Sequence, residues 1–258
     1  MKTKVARYHF LVRSYETDYN NRLKISSVFN FMQIAAGRHA NELQFGYDQF
    51  GPKGYFWVLS RVVLNWIGNV KFDQELIIET WPSGVEKIIA TRDFKFYSGD
   101  DVLLGKAKTT WLVMDSKTRR PIFLDKISFP QLDFDIHPAI EENPAKILEP
   151  ENKTSQGLRK VVYSDIDVNR HVNNAKYLEY VFDALPPQLR EYDHGIKVQI
   201  NYLKELKLDE NIELFYAEPA VSGSHYYVDA CNEKAQKVFQ CALWQSKPPA
   251  SNQSAQET

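Results

Sequence analysis

Asp167-Val168-Asn169-Arg170-His171-Val172-Asn173-Asn174-Ala175-Lys176-Tyr177 has a counterpart earlier in the chain, and that relation decides the fold. At Asp18-Tyr19-Asn20-Asn21-Arg22 the carboxylate and amide recur at the same spacing, again before a helical stretch, with arginine in place of histidine. Downstream, Leu64-Asn65-Trp66 and Val70-Lys71-Phe72-Asp73 read against Ile200-Asn201-Tyr202 and Leu206-Lys207-Leu208-Asp209. The first match has an offset of 149 (Asp18 to Asp167) and the second of 136 (Asn65 to Asn201). The first half therefore carries 13 extra residues between its helix and its next strand, expected in the Gly-rich, aromatic stretch from Gln44 to Trp57. A third match, Trp111 with Trp244, has an offset of 133. Self-similarity at this scale marks a tandem duplication.

Each copy has the same order of elements. In the first, a short strand (Tyr8 to Arg13) and the Asp18 turn precede a helix from Lys24 to about Leu43, whose apolar residues recur at three- and four-residue steps with Gly37 as its one breaker. Four extended segments follow, 57–66, 74–81, 85–97 and 102–114, with Pro82-Ser83-Gly84 and Ser98 to Asp101 as hairpin connections. The second copy reads as a strand at 158–163, a helix from about Asn174 to Ala184 stopped by Leu185-Pro186-Pro187, and strands near 196–204, 211–218, 225–231 and 237–244. An antiparallel sheet wrapped around one long apolar helix, present twice, satisfies both hydrophobic faces. The expected class is α+β, a tandem hot-dog fold of two units, each with its own core, paired edge to edge. The expected divisions are 1–130, a connector at 131–156, 157–246, and a disordered tail at 247–258.

Composition narrows the function. At 258 residues, 43% hydrophobic, 13% aromatic and net charge −1, the chain offers no whole-molecule attraction to nucleic acid or an anionic membrane. No run of ~18 apolar residues is present to span a bilayer, and the N-terminus lacks a secretory apolar region, so a cytoplasmic protein is expected. Cys231 and Cys241 have no His or Cys at metal spacing and read as structural. His9, His39, His137, His194 and His225 show no ligand spacing, so no metal and no cofactor are expected. Walker, Gly-x-Gly-x-x-Gly and Gly-x-Ser-x-Gly patterns are absent from the sequence.

The two copies diverge where chemistry needs them to. The second gains His171 in place of Arg22 and Glu205 in place of Asn69. Asp167, Asn169, His171 and Glu205 beside a helix N-terminus form a water-activating set for hydrolysis of an activated acyl group. Backbone N–H groups near Val172, Asn173 and Asn174 are the expected oxyanion donors, since first-turn amides lack intrahelical acceptors. Asp and Asn also make turns and caps, and a histidine at a helix start or a strand glutamate is commonly solvent-facing. It is the joint gain of His171 and Glu205 in one copy that favours chemistry.

The string from Ser164 to Tyr177, with Ile200-Asn201-Tyr202-Leu203-Lys204-Glu205 downstream, resembles the acyl-acyl carrier protein thioesterases of plant plastids and bacteria. Phe10 to Glu16 and the run from Trp111 to Arg120 are similar to that family's N-terminal region, so the resemblance covers about residues 7 to 245. It implies two fused hot-dog domains and hydrolysis of fatty acyl-carrier protein to free fatty acid, terminating fatty acid synthesis. The acyl pocket is then expected in the first domain, and Asp167, Asn169, His171 and Glu205 as the catalytic set in the second. The implied partner is acyl carrier protein with its acyl chain on 4'-phosphopantetheine. Where plant members carry cysteine after the glutamate, this chain has Leu206, which excludes a thiol nucleophile there and favours activated water. The start near the first strand, without the transit peptide of plant members, favours a bacterial cytoplasmic protein. Because carrier proteins are acidic, Arg159, Lys160, Arg170, Lys176, Lys204 and Lys207 are candidate docking residues. An acyl-coenzyme A thioesterase on the same site and a non-catalytic acyl-binding or regulatory module are the alternatives; a homodimer is left open.

Overall fold

The two turns paired by sequence are one turn in three dimensions. In the computed structural model, which describes residues 4–127, 132, 134, 136–221 and 225–245, the Asp18 N–H donates to the Arg22 carbonyl at 2.8 Å and the Asp167 N–H to that of His171 at 2.9 Å. Each aspartate carboxylate accepts the N–H of the asparagine two residues on, at 2.9 and 2.8 Å. The fourth residue of each turn is left-handed, Asn21 at φ 57° and Arg170 at φ 63°. Thus the shared Asp-x-Asn is an Asx turn that aims the chain into a helix in both copies.

The first helix, α1 (Ile25–Glu42), buries Val28, Phe29, Met32, Ala35, Ala36 and His39 along one stripe and continues through Gly37 without a break. A short helix, α2 (Tyr47–Phe50), follows. Gly46 makes that corner: a Cβ there would lie 1.8 Å from Asn41 Oδ1. The second-copy helix, α3 (Asn174–Ala184), is capped by Asn173, whose Oδ1 accepts the Ala175 N–H at 2.9 Å, and ends before Pro186.

The strands are β1 (Ala6–Leu11), β2 (Tyr55–Trp66), β3 (Glu75–Glu86), β4 (Ile89–Ser98), β5 (Leu103–Asp115), β6 (Thr154–Lys160), β7 (Ile196–Tyr202), β8 (Asn211–Ala217), β9 (Tyr226–Asn232) and β10 (Lys237–Gln245). They form one ten-stranded sheet in the order β1-β3-β4-β5-β2-β7-β10-β9-β8-β6, a tandem hot-dog fold with the halves joined at β2 and β7. That junction pairs Arg61 with Asn201, Val63 with Gln199 and Asn65 with Lys197. Exchanging the halves maps Arg61 onto Lys197 and Asn65 onto Asn201, so a pseudo-twofold axis passes between Val63 and Gln199. Strand pairing there closes the edge that each half would otherwise expose.

Five expectations are corrected. The separate cores are one: a single apolar cluster holds Val28, Phe29, Phe94 and Phe96 with Leu178, Val181, Val198 and Phe239. The extra first-half residues are not confined to 44–57, since α1 has 18 residues against 11 in α3 and β2 has 12 against 7 in β7. Pro82-Ser83-Gly84 lies inside β3, where the register with β4 shifts; the hairpin turn is Lys87-Ile88, with Lys87 at φ 53°. Trp111 and Trp244 miss correspondence by one residue: Thr110 faces Arg61, whereas Trp244 faces Lys197, the residue onto which Arg61 maps. The first strand of the second half also begins earlier than read, at Thr154. The expected tail, 247–258, lies outside the described residues.

The connector straps the outer face of the sheet. Ala145 O accepts Gln199 Nε2 at 2.6 Å and Asn201 Nδ2 at 3.2 Å, and Pro144 O accepts Arg61 Nη1 at 3.1 Å. The N–H groups of Ala139 and Ile140 donate to the fully buried Asp93, whose carboxyl burial pushes above its ordinary range. Lys153 reaches the equally buried Asp229 at 2.8 Å. A segment without periodicity thus partners polar groups that the sheet buries.

Candidate active site

The second-copy turn places His171 at the entrance to α3, and the segment after β7 brings Glu205 to it: His171 Nε2 lies 3.4 Å from Glu205 Oε2. Asp167 accepts the Asn169 N–H at 2.8 Å and its side-chain amide at 3.4 Å, bonds that hold the turn. Arg119, at the end of the first half and in a left-handed conformation, donates to Glu205 and stacks on Phe56 at 4.9 Å. Gln33 of α1 accepts from Asn174 Nδ2 at 3.3 Å and donates to Asn173 Oδ1 at 3.1 Å, tying the two helices at the site. Below, Tyr177 and Tyr202 pack edge to face, and the Tyr202 hydroxyl donates to the Asn174 carbonyl at 2.9 Å.

In the first copy the same corner is filled. Arg22 is 3% exposed, pairs with Asp18, Glu191 and Asp193, and stacks on Tyr192 at 4.9 Å. Its cation anchors the loop between α3 and β7. Around His171 the corresponding space is open.

That opening is a cavity of about 800 Å³. Asp167, Asn169, His171, Asn174, Glu205 and Arg119 line its mouth, and it runs along α1 past Ala36, Gly37 and Ala40 to Phe45, Phe50, Trp57 and Trp111 of the first half. A satellite apolar cluster containing Ala40, Leu43, Phe45, Phe50 and Val113 walls its far side. The extended β2 and the two additional turns of α1 supply much of this lining.

The expected oxyanion donors Val172 and Asn173 are spent. The Val172 N–H donates to Leu206 O and the Asn173 N–H to Asp165 O, both at 2.9 Å, because the turn closes a bridge between Ile166 and Val172 and docks on the segment after β7. The Asn174 N–H has no acceptor among the described residues and lines the mouth. Leu206 is fully buried, and burial drives the Cys241 thiol far above its ordinary range, so neither position offers a nucleophile.

Of the candidate docking cations, Arg159 pairs with Asp183 at the C-terminal end of α3, on the order of 14 Å along the helix from Asn174, and stacks on Tyr180 at 4.1 Å. Lys160 pairs with Asp209 and Lys176 with Glu179, and Lys204 donates to Gln236 at the cavity rim. Arg170 and Lys207 are exposed, with no ion pair among the described residues. Arg119, Gln33 and Arg92 stand in no motif that marks them in the sequence. Arg119 stood within a quoted run but has no counterpart in the second copy to mark it.

Two family models cover the chain: the acyl-ACP thioesterase N-terminal domain matches residues 3–126 and the C-terminal domain residues 148–247. A chloroplastic palmitoyl-acyl carrier protein thioesterase of Cuphea hookeriana is 26% identical over 234 residues, 86% of this chain and 56% of that protein. A chloroplastic oleoyl-acyl carrier protein thioesterase of Coriandrum sativum is 27% identical over 232 residues, 79% of this chain and 60% of that protein. The chain spans little more than half the length of these relatives. Among solved structures, an acyl-ACP thioesterase from Bacteroides thetaiotaomicron superposes with a TM-score of 0.81 at 24% identity, covering 93% of this chain and 96% of that one. The 12:0-ACP thioesterase from Umbellularia californica does so with 0.78 at 23%, covering 95% and 98%. With both domain models matched in order across a tandem hot-dog fold, the chain belongs to the acyl-ACP thioesterase family.

Proposed function

We propose that this protein hydrolyses the thioester of fatty acyl-acyl carrier protein, releasing free fatty acid and carrier protein. The observation that carries this reading is the His171–Glu205 pair at the mouth of a long apolar cavity, which puts water-activating groups where the carbonyl of a buried acyl chain would emerge. The acyl chain occupies the first-half part of the cavity, within 1–130, and the reacting groups belong to the second half, 157–246.

Glu205 takes a proton from water, and the resulting hydroxide adds to the thioester carbon. The Asn174 N–H, at the positive end of α3, and the Asn169 amide stabilise the oxyanion. The carbon–sulfur bond then breaks to give carboxylic acid and thiolate; the proton held by Glu205 passes to His171, 3.4 Å away, and on to the thiolate, which leaves as thiol and restores both side chains. Asp167 holds Asn169, and Arg119 holds the Glu205 carboxylate at the mouth. Arg170 and Lys207, without an ion pair among the described residues, are the docking cations proposed for an acidic carrier, and Lys204 at the rim the group that meets the pantetheine arm. The described residues contain no helix long and apolar enough to cross a membrane; the bacterial cytoplasm is the compartment proposed.

Glu205→Gln and His171→Ala are each expected to lower kcat on acyl-carrier thioesters by about 10²-fold or more, and Asp167→Asn by about tenfold through misplacement of Asn169. Thiol release measured on a panel of acyl-carrier and acyl-coenzyme A thioesters, with the acids identified by mass, checks this. Wild-type rates in all three variants would overturn the assignment, and faster turnover of the coenzyme A series would move the substrate to that carrier.

A further inference from the structure

Away from its mouth, the cavity is lined by one charged side chain among the described residues, Arg92 of β4. It is 5% exposed. Its Nη1 makes both of its side-chain hydrogen bonds, to His39 Nδ1 at 3.1 Å and to Thr80 Oγ1 at 3.2 Å. Both partners are neutral groups: burial, with the adjacent Arg92 charge, pushes His39 down to about 4, so at neutral pH its Nδ1 accepts from the guanidinium. No carboxylate pairs with Arg92 among the described residues. Its Nε and Nη2 have no protein acceptor among the described residues, and the side chain lines the cavity. Burying a charge without a counter-ion is costly, and an apolar acyl tunnel needs no such group.

Arg92 is also distant from the reacting groups. β4 lies three strands from β7 in the order β4-β5-β2-β7, on the order of 14 Å. Along α1, His39 lies six residues beyond Gln33, which marks the mouth, on the order of 9 Å. Two open donors on a fixed fork, set well down an apolar tunnel, match an oxygen carried on the chain itself.

We propose that the cavity takes acyl chains bearing an oxygen acceptor, a hydroxyl or a carboxylate, beyond their proximal carbons, and that Arg92 Nε and Nη2 bind that oxygen. This rests on the acyl-thioester reading of the site. A saturated chain of equal length leaves the guanidinium desolvated and unsatisfied, so discrimination runs against the plain chain.

The test has two arms. Free fatty acids of several lengths, unsubstituted or with a hydroxyl or terminal carboxylate walked along the chain, are titrated into the full protein by calorimetry. The matching carrier thioesters are compared by kcat/KM. At the matching position the oxygenated acid is expected to bind about tenfold or more tightly than its plain counterpart, Arg92→Met to abolish that ratio, and Arg92→Lys to retain part of it. Hydroxyl and carboxylate series separate a neutral from an anionic ligand. Equal or weaker binding of the oxygenated acids at every position in wild type overturns the proposal, and that ranking decides alone if Arg92→Met does not fold. Failure to hydrolyse any thioester would sink the functional reading instead, while the free-acid ranking would still decide the Arg92 site.

Discussion

His171 and Arg22 occupy the same corner of the same turn with opposite outcomes. Arg22 spends its cation on three carboxylates and an aromatic face, and its corner is filled; His171 meets Glu205 beside open space. This contrast was legible in sequence because the copies could be set side by side. Which first-turn N–H groups stay free was not, because that depends on Leu206 O and Asp165 O arriving from outside the helix. Arg92 was equally hidden: a lysine or arginine in a strand reads as solvent-facing until the helix packed over it is known. His39 is expected to tie stability to pH. Its folded-state value of about 4, set by burial and then by Arg92, lies below the ordinary 6.5. The unfolded chain therefore takes up a proton first as pH falls, and stability present above pH 6.5 is lost progressively towards pH 4, by up to about 3 kcal/mol. Urea unfolding across that range checks it; in His39→Gln this part of the slope should vanish.

Among the elements, α3 lies where the sequence puts it, from about Asn174 to Ala184, since Pro186 blocks its continuation, and Asn173 caps its start. β3 was cut short in the reading because proline and glycine ordinarily mark turns, whereas Pro82 and Gly84 here sit at a register shift and the hairpin turns at Lys87-Ile88. No local signal distinguishes a bulge from a turn when both use the same residues. In α1, Gly37 lines the cavity and a Cβ there meets no atom within 4 Å. Gly37→Ala is expected to raise stability by up to about 1 kcal/mol through helix propensity, read as a higher Tm. Gly37→Phe should fill cavity space and shift hydrolysis towards shorter chains, read from kcat/KM across a length series.

Taken whole, the molecule has the symmetry that the repeat announced and a core that the repeat could not announce. Residue periodicity reports which face of each helix is buried, but not that α1 and α3 bury theirs into one shared cluster under a continuous sheet. With the strap bonded to both halves of the β2–β7 junction, heating should give one transition with calorimetric and van't Hoff enthalpies in agreement. Two resolved transitions would show that the halves fold separately. The axis between Val63 and Gln199 has a further consequence, for inheritance. In a pair of identical chains, every substitution at this turn would appear at both corners at once, so a plug and a reactive histidine could not coexist. Joined in one chain, the copies vary independently: one corner holds Arg22 buried among carboxylates, the other keeps His171 on the cavity, and under the proposed function a twofold frame carries a single, asymmetric site.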